Sequence, residues 1–95
     1  MVSIGQLILH LELSGCASLK EKRGRIKPVL ARLHREFNVS VSEVDRQDAH
    51  GAAVLACVLV SSDPNQTMRA LQQVAAFVEA NWPDLPLFDH SIELI

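Results

Sequence analysis

The run "AAVLACVLV", Ala52 to Val60, narrows the choice of fold more than any other stretch of the chain. Nine apolar residues in succession leave no polar face. A strand of this kind needs a neighbour on each edge and belongs in the middle of a sheet. A membrane-spanning helix would need about 20 apolar residues. "DAHG" before the run reads as a turn, and "DP" after it reads as a stop.

The flanking segments supply the neighbours. "IGQLILHLELSG" alternates, with Leu7, Leu9, Leu11 and Leu13 on one face and Gln6, Ile8, His10 and Glu12 on the other. That is a half-buried strand. "NVSVSEVD" is another: Val39 and Val41 share a face, Val44 breaks the parity, and a bulge near Ser42 or Glu43 would restore it. "LFDHSIELI" is the last, with Phe88, Ile92 and Leu94 opposite Asp89, Ser91 and Glu93.

Two helices fill the remaining gaps. Ser18 and Glu21 form an S-x-x-E capping box ahead of the apolar stripe Leu19, Ile26, Leu30, Leu33 and Phe37. Asp63, Pro64 and Gln66 open the second helix, whose inner face takes Met68, Leu71, Ala75, Val78 and Trp82. The spacing predicts helices over 19–36 and 64–81. The element order β-α-β-β-α-β predicts a single α+β, ferredoxin-like domain over residues 1–95. Its antiparallel sheet should run 4-1-3-2, with both helices on one face. Acids on the second and last strands suit edge positions, where they discourage pairing with another chain.

Charge is sorted along the chain. Leu19 to Arg35 holds seven bases against one acid, Glu21, a net of +6. The remainder holds two bases against ten acids, a net of −8. Cations in the first turn of a helix oppose its dipole, at a cost of roughly 0.3–1 kcal/mol each at low salt. Glu21 can pair with Arg25 and Arg32 with Glu36, which leaves Lys20, Arg23, Lys27 and His34 on a flank without acids and Lys22 beside the apolar stripe. Pro28 removes a helical hydrogen bond, and the carbonyl it crowds belongs to Gly24. Either the helix bends between these two residues, or Lys20 to Arg25 form a separate turn and the helix proper starts near Pro28. An exposed basic face needs no partner, but a row of cations at one-turn spacing also suits nucleic-acid phosphates. The nucleic-acid-binding set read from the sequence is therefore Lys20, Lys22, Arg23, Lys27 and His34.

Other chemistry finds less support. The aromatics Phe37, Phe77, Trp82 and Phe88 avoid the two central strands, so base stacking on the sheet is not expected. Cys16 stands alone where a metal-binding loop would carry C-x-x-C. No arginine in "LSGCAS" could hold a phosphate. Cys57 reads as core, and His90 as a hydrogen-bonded core histidine. Glu43, Asp45, Asp48 and His50 cluster near the hairpin, but edge and turn chemistry explains them as well as a metal would. No nucleophile–base–acid set stands out. The expectation is a protein with no catalytic residues, no metal and no cofactor. It is also expected to be cytoplasmic, since the N-terminus lacks a basic region followed by an apolar one and the two cysteines make no disulfide framework. Because the third strand is apolar on both faces, a homodimer through the open sheet face is a second expectation.

"SLKEKR" (18–23), "FNVSVSEV" (37–44) and "DRQD" (45–48), with the leading strand and the "SIELI" ending, resemble the YlxP-like family of small bacterial proteins. The resemblance covers essentially the whole chain and implies a ferredoxin-like fold. Family genes often lie beside those for a transcription factor, a translation initiation factor and a ribosome-binding factor. That setting implies a role near RNA or the ribosome, without catalytic residues to carry over. The family often has an aromatic where His90 stands.

Overall fold

The computed structural model describes all 95 residues. The chain runs β1 (Ser3–Glu12), α1 (Leu19–Glu36), β2 (Ser40–Asp45), β3 (Ala52–Ser61), α2 (Pro64–Asn81) and β4 (Leu87–Leu94). The sheet order is β2-β3-β1-β4, with every neighbouring pair antiparallel. This is the ferredoxin-like α+β arrangement.

Leu7, Leu9, Leu11 and Leu13 are fully buried, as their alternation predicts. They meet Ala53, Leu55 and Cys57 of β3 on the face that both helices cover. From α1 come Ile26, Val29 and Leu33, and from α2 Leu71, Val74, Ala75 and Val78. Leu30, expected in the core, is only half-buried, and Val29 takes its place. Gly5 allows α2 to sit close on β1. A Cβ there would meet Thr67 Cγ2 and come within 2.7 Å of Leu71 Cδ1. Thr67 is buried but satisfied, bonding Ser3 Oγ at 3.0 Å and Ser61 Oγ at 2.6 Å.

Three local features depart from simple pattern reading. The β2 irregularity falls between Glu43 and Asp45, so Val44 itself is the bulged residue and lies outside the core. A matching shift on β4 pairs His10 with Asp89 but Leu11 with Leu87. It rotates Phe88 off the face of Ile92 and leaves it 63% exposed, beside His10 with ring centroids 5.8 Å apart. His90 keeps the parity of Ile92 but is exposed, because β4 is an edge strand that α2 covers incompletely. The expected core histidine is thus corrected to a groove residue. It lines a cleft of about 470 Å³ with Gln72, Ala75, Ala76, Glu79 and Ala80.

Pro28 does not divide α1, which is helical without a break from Leu19 to Glu36. The reading in which the helix proper starts near Pro28 is therefore wrong. Both Pro28 and Gly24 face solvent, so the crowding falls where nothing else is packed.

Candidate nucleic-acid interface

The N-terminus of α1 is held by a complete set of local bonds. Ser18 Oγ accepts from the Glu21 N–H at 3.1 Å. Glu21 Oε2 accepts from the Ala17 N–H at 2.6 Å. That backbone bond, then the Cys16 thiol, hold the Glu21 carboxyl below its ordinary range, with smaller help from Arg25. The one acid of the basic segment thus serves the cap. Arg25 turns elsewhere, donating to Ser14 O at 3.2 Å and Asp84 O at 2.9 Å. Its ion pair is with Asp84 at 3.9 Å, not the expected Glu21.

Lys22 requires a correction. It is 1% exposed, and its ammonium donates to Arg46 O at 2.8 Å and Ala49 O at 2.7 Å. Glu43 Oε2 lies 2.7 Å away as an ion pair, without the alignment of a directed hydrogen bond. Lys22 therefore ties α1 to the β2–β3 hairpin, whose Arg46 adopts a left-handed φ of 54°. It does not face solvent and is removed from the phosphate-contacting set. The signal was present in the spacing: Lys22, Ile26, Val29 and Leu33 occupy one buried stripe.

His34 is also diverted. It is exposed, but its Nε2 accepts from the Val41 N–H at 3.4 Å. That bond covers part of the outer edge of β2, as Gln47 does by donating to Glu43 O at 3.2 Å. Arg32 lies over the Phe77 ring at 5.0 Å and the Trp82 ring at 5.8 Å, with Glu36 at 3.9 Å. Of the seven α1 cations, Lys22, Arg25 and Arg32 are therefore engaged within the fold.

Lys20, Arg23 and Lys27 remain exposed and form no ion pair. At 100° per residue they fall within about 60° of arc, spread over roughly 10 Å of helix. Arg23 and Lys27 also border a groove of about 240 Å³ between α1 and β2, lined by Ile26, Leu30 and Glu43. Arg35, not singled out from the sequence, is likewise exposed and unpaired. The arrangement can receive anionic groups along one side of the helix.

A family model described as "Protein of unknown function (DUF503)" matches residues 4–92. The chain belongs to the DUF503 family. Over 63 residues it is 43% identical to "Uncharacterized protein YlxP" of Bacillus subtilis (strain 168), across 66% of this chain and 68% of that relative. In shape it is similar to a solved structure, "De novo designed protein Foldit4", with a TM-score of 0.56 and 14% identity. That match covers 100% of this chain and 97% of the other. At that identity the likeness shows the fold alone. A fold carries no function by itself, so any DUF503 function must be argued from side chains.

Those side chains leave the other candidates dispersed. The hairpin acids do not converge, since Glu43 faces Lys22 while His50 Nδ1 bonds Cys16 O at 2.8 Å. Cys16 is buried, and its Sγ lies 3.4 Å from Ser18 O, so its one S–H is shared between that carbonyl and the Glu21 carboxylate. Burial raises the Cys57 thiol to about 11, so it stays protonated near neutral pH. No helix in this DUF503 chain is long and apolar enough to cross a membrane.

Proposed function

We propose that this protein is a non-catalytic, cytoplasmic RNA-binding module that associates with RNA or ribosomal particles through α1. Lys20, Arg23 and Lys27 contact backbone phosphates, with Arg35 extending the basic face. One observation carries this reading: three α1 cations are engaged within the fold, while these three share one side of the helix without an acidic partner. Their mutual repulsion, and the conflict of Lys20 with the helix dipole, would be relieved by an anion. Contacts of this kind are largely independent of base sequence.

The test is fluorescence anisotropy with a labelled single-stranded RNA at low salt, with co-sedimentation of ribosomal particles alongside. Replacing Lys20, Arg23 and Lys27 together by Gln should lower affinity about tenfold or more, since all three phosphate charges are lost. The melting temperature should hold, because all three side chains are exposed. Arg69→Gln, an exposed change on α2, should leave binding intact. Equal binding by the triple variant and the parent would refute this function. A homo-oligomer without a nucleic-acid role is the alternative, and it depends on the open sheet face.

A further inference from the structure

Both helices lie on one face of the sheet, and no helix covers the other, on which Val54 alone is buried, at 5% exposure. Strand register lays that bare face out as a grid. Asp45, Val54, His10 and Asp89 form one row across the four strands. Ser42, Ala56, Ile8 and Ser91 form the next, and Ser40, Val58, Gln6 and Glu93 the third. On the two central strands, Val60 beside Ile4 extends the grid at one end and Ala52 beside Glu12 at the other.

The grid has an apolar centre and acidic margins. The central columns are apolar except for Gln6, His10 and the terminal Glu12. Val60 is 61% and Val58 37% exposed, and Phe88 adds its ring beside His10. The outer columns are Ser or acid. Four carboxylates, those of Asp45, Asp89, Glu93 and Glu12, stand around the perimeter, and no Lys or Arg occupies any position of the grid.

A second copy fits this face poorly. A two-fold axis along the strands sets Asp45 of one copy opposite Asp89 of the other. An axis across the strands sets Asp89 opposite Glu93. Either way like charges meet, and nothing on the face offsets them.

We infer that the bare sheet face is the docking surface for a basic amphipathic helix of a partner protein. Its shape and charge both match that occupant. Two central strands give an apolar track about 10 Å wide, the width of a helix. Nine residues of strand give a length of roughly 27 Å, which about 18 helical residues span. An apolar stripe would lie on the track while flanking Lys and Arg meet the carboxylates on both sides. The added helix would complete a three-layer arrangement of helices, sheet and helix. This inference stands whether or not α1 binds RNA.

The probe is a synthetic 18-residue helical peptide with a Leu stripe and Lys flanks, added to the full-length protein. The comparison peptide carries Glu in place of Lys. Amide chemical-shift changes should map to the grid on β1 and β3, and the Lys peptide should bind at least about tenfold more tightly. In a variant carrying Asp45→Lys with Glu93→Lys, two carboxylates face two ammoniums and that preference should vanish; both residues lie at the sheet margins, and a retained melting temperature checks the fold. Equal affinity for the two peptides overturns the inference, as does mapping of the Lys peptide to α1. RNA shifts centred on the grid would also overturn it, as would a dimer at neutral pH that Val60→Ser with Phe88→Ser disperses.

Discussion

Lys22 shows how one residue can carry opposite meanings in sequence and in structure. Among four other bases within Ser18 to Pro28 it looks like part of a charged surface. In the fold it is a buried polar anchor with two carbonyls and one carboxylate around its ammonium. Removing one partner of a buried pair costs more than the pair itself is worth, because the other charge stays buried alone. Lys22→Met should therefore lower stability by about 3–5 kcal/mol in urea denaturation. Lys22→Met with Glu43→Leu should recover part of that loss, though Ala49 O would lose its Lys22 donor and Arg46 O would keep only the Ala49 N–H at 3.0 Å. No change in stability for Lys22→Met would show that the anchor contributes nothing.

Among the elements, α1 combines the most conflicting demands. It must pack Ile26, Val29 and Leu33 inward, anchor the hairpin through Lys22, and present Lys20, Arg23 and Lys27 outward. It does this while holding Pro28 in its interior. Helix-interior proline is roughly 3 kcal/mol less favourable than alanine. Part of that is offset because proline also restricts the unfolded chain, by about 0.4–1 kcal/mol. Pro28 is exposed, so its removal forfeits little packing. Pro28→Ala should thus stabilise the protein by about 2–2.6 kcal/mol, read as a higher melting temperature. RNA affinity should stay within about twofold, since the contacting cations are unchanged. A lower melting temperature would mean that the helix is built around the proline.

At the scale of the molecule, charge is separated between layers. The basic side of α1 lies in the helical layer, and the carboxylates of Asp45, Asp89, Glu93 and Glu12 rim the opposite face of the sheet. Such a distribution orients an approaching polyanion toward one side and repels it from the other. Three phosphate contacts to single-stranded RNA give an expected slope of roughly −2 for log K against log salt. The Gln triple variant should flatten it toward zero. A slope that the triple variant leaves unchanged would place the phosphate contacts elsewhere.

The sequence by itself determined the topology. Alternation in β1, the two-faced apolar run of β3 and the capping residues Ser18 and Asp63 are local signals, and each states its own element. Their order leaves few ways to close a sheet. The basic stripe was also legible, because helical periodicity alone places Lys20, Arg23 and Lys27 together. Tertiary structure decided what periodicity cannot express. Helical spacing already sets Lys22 on the buried stripe, but only the tertiary structure supplied its partners at the hairpin, as it supplied Asp84 to Arg25. It also set the two bulges, which move Val44 and Phe88 off their expected faces. A bulge inverts strand parity by one residue, and its position depends on register with the neighbouring strand, which no single segment contains.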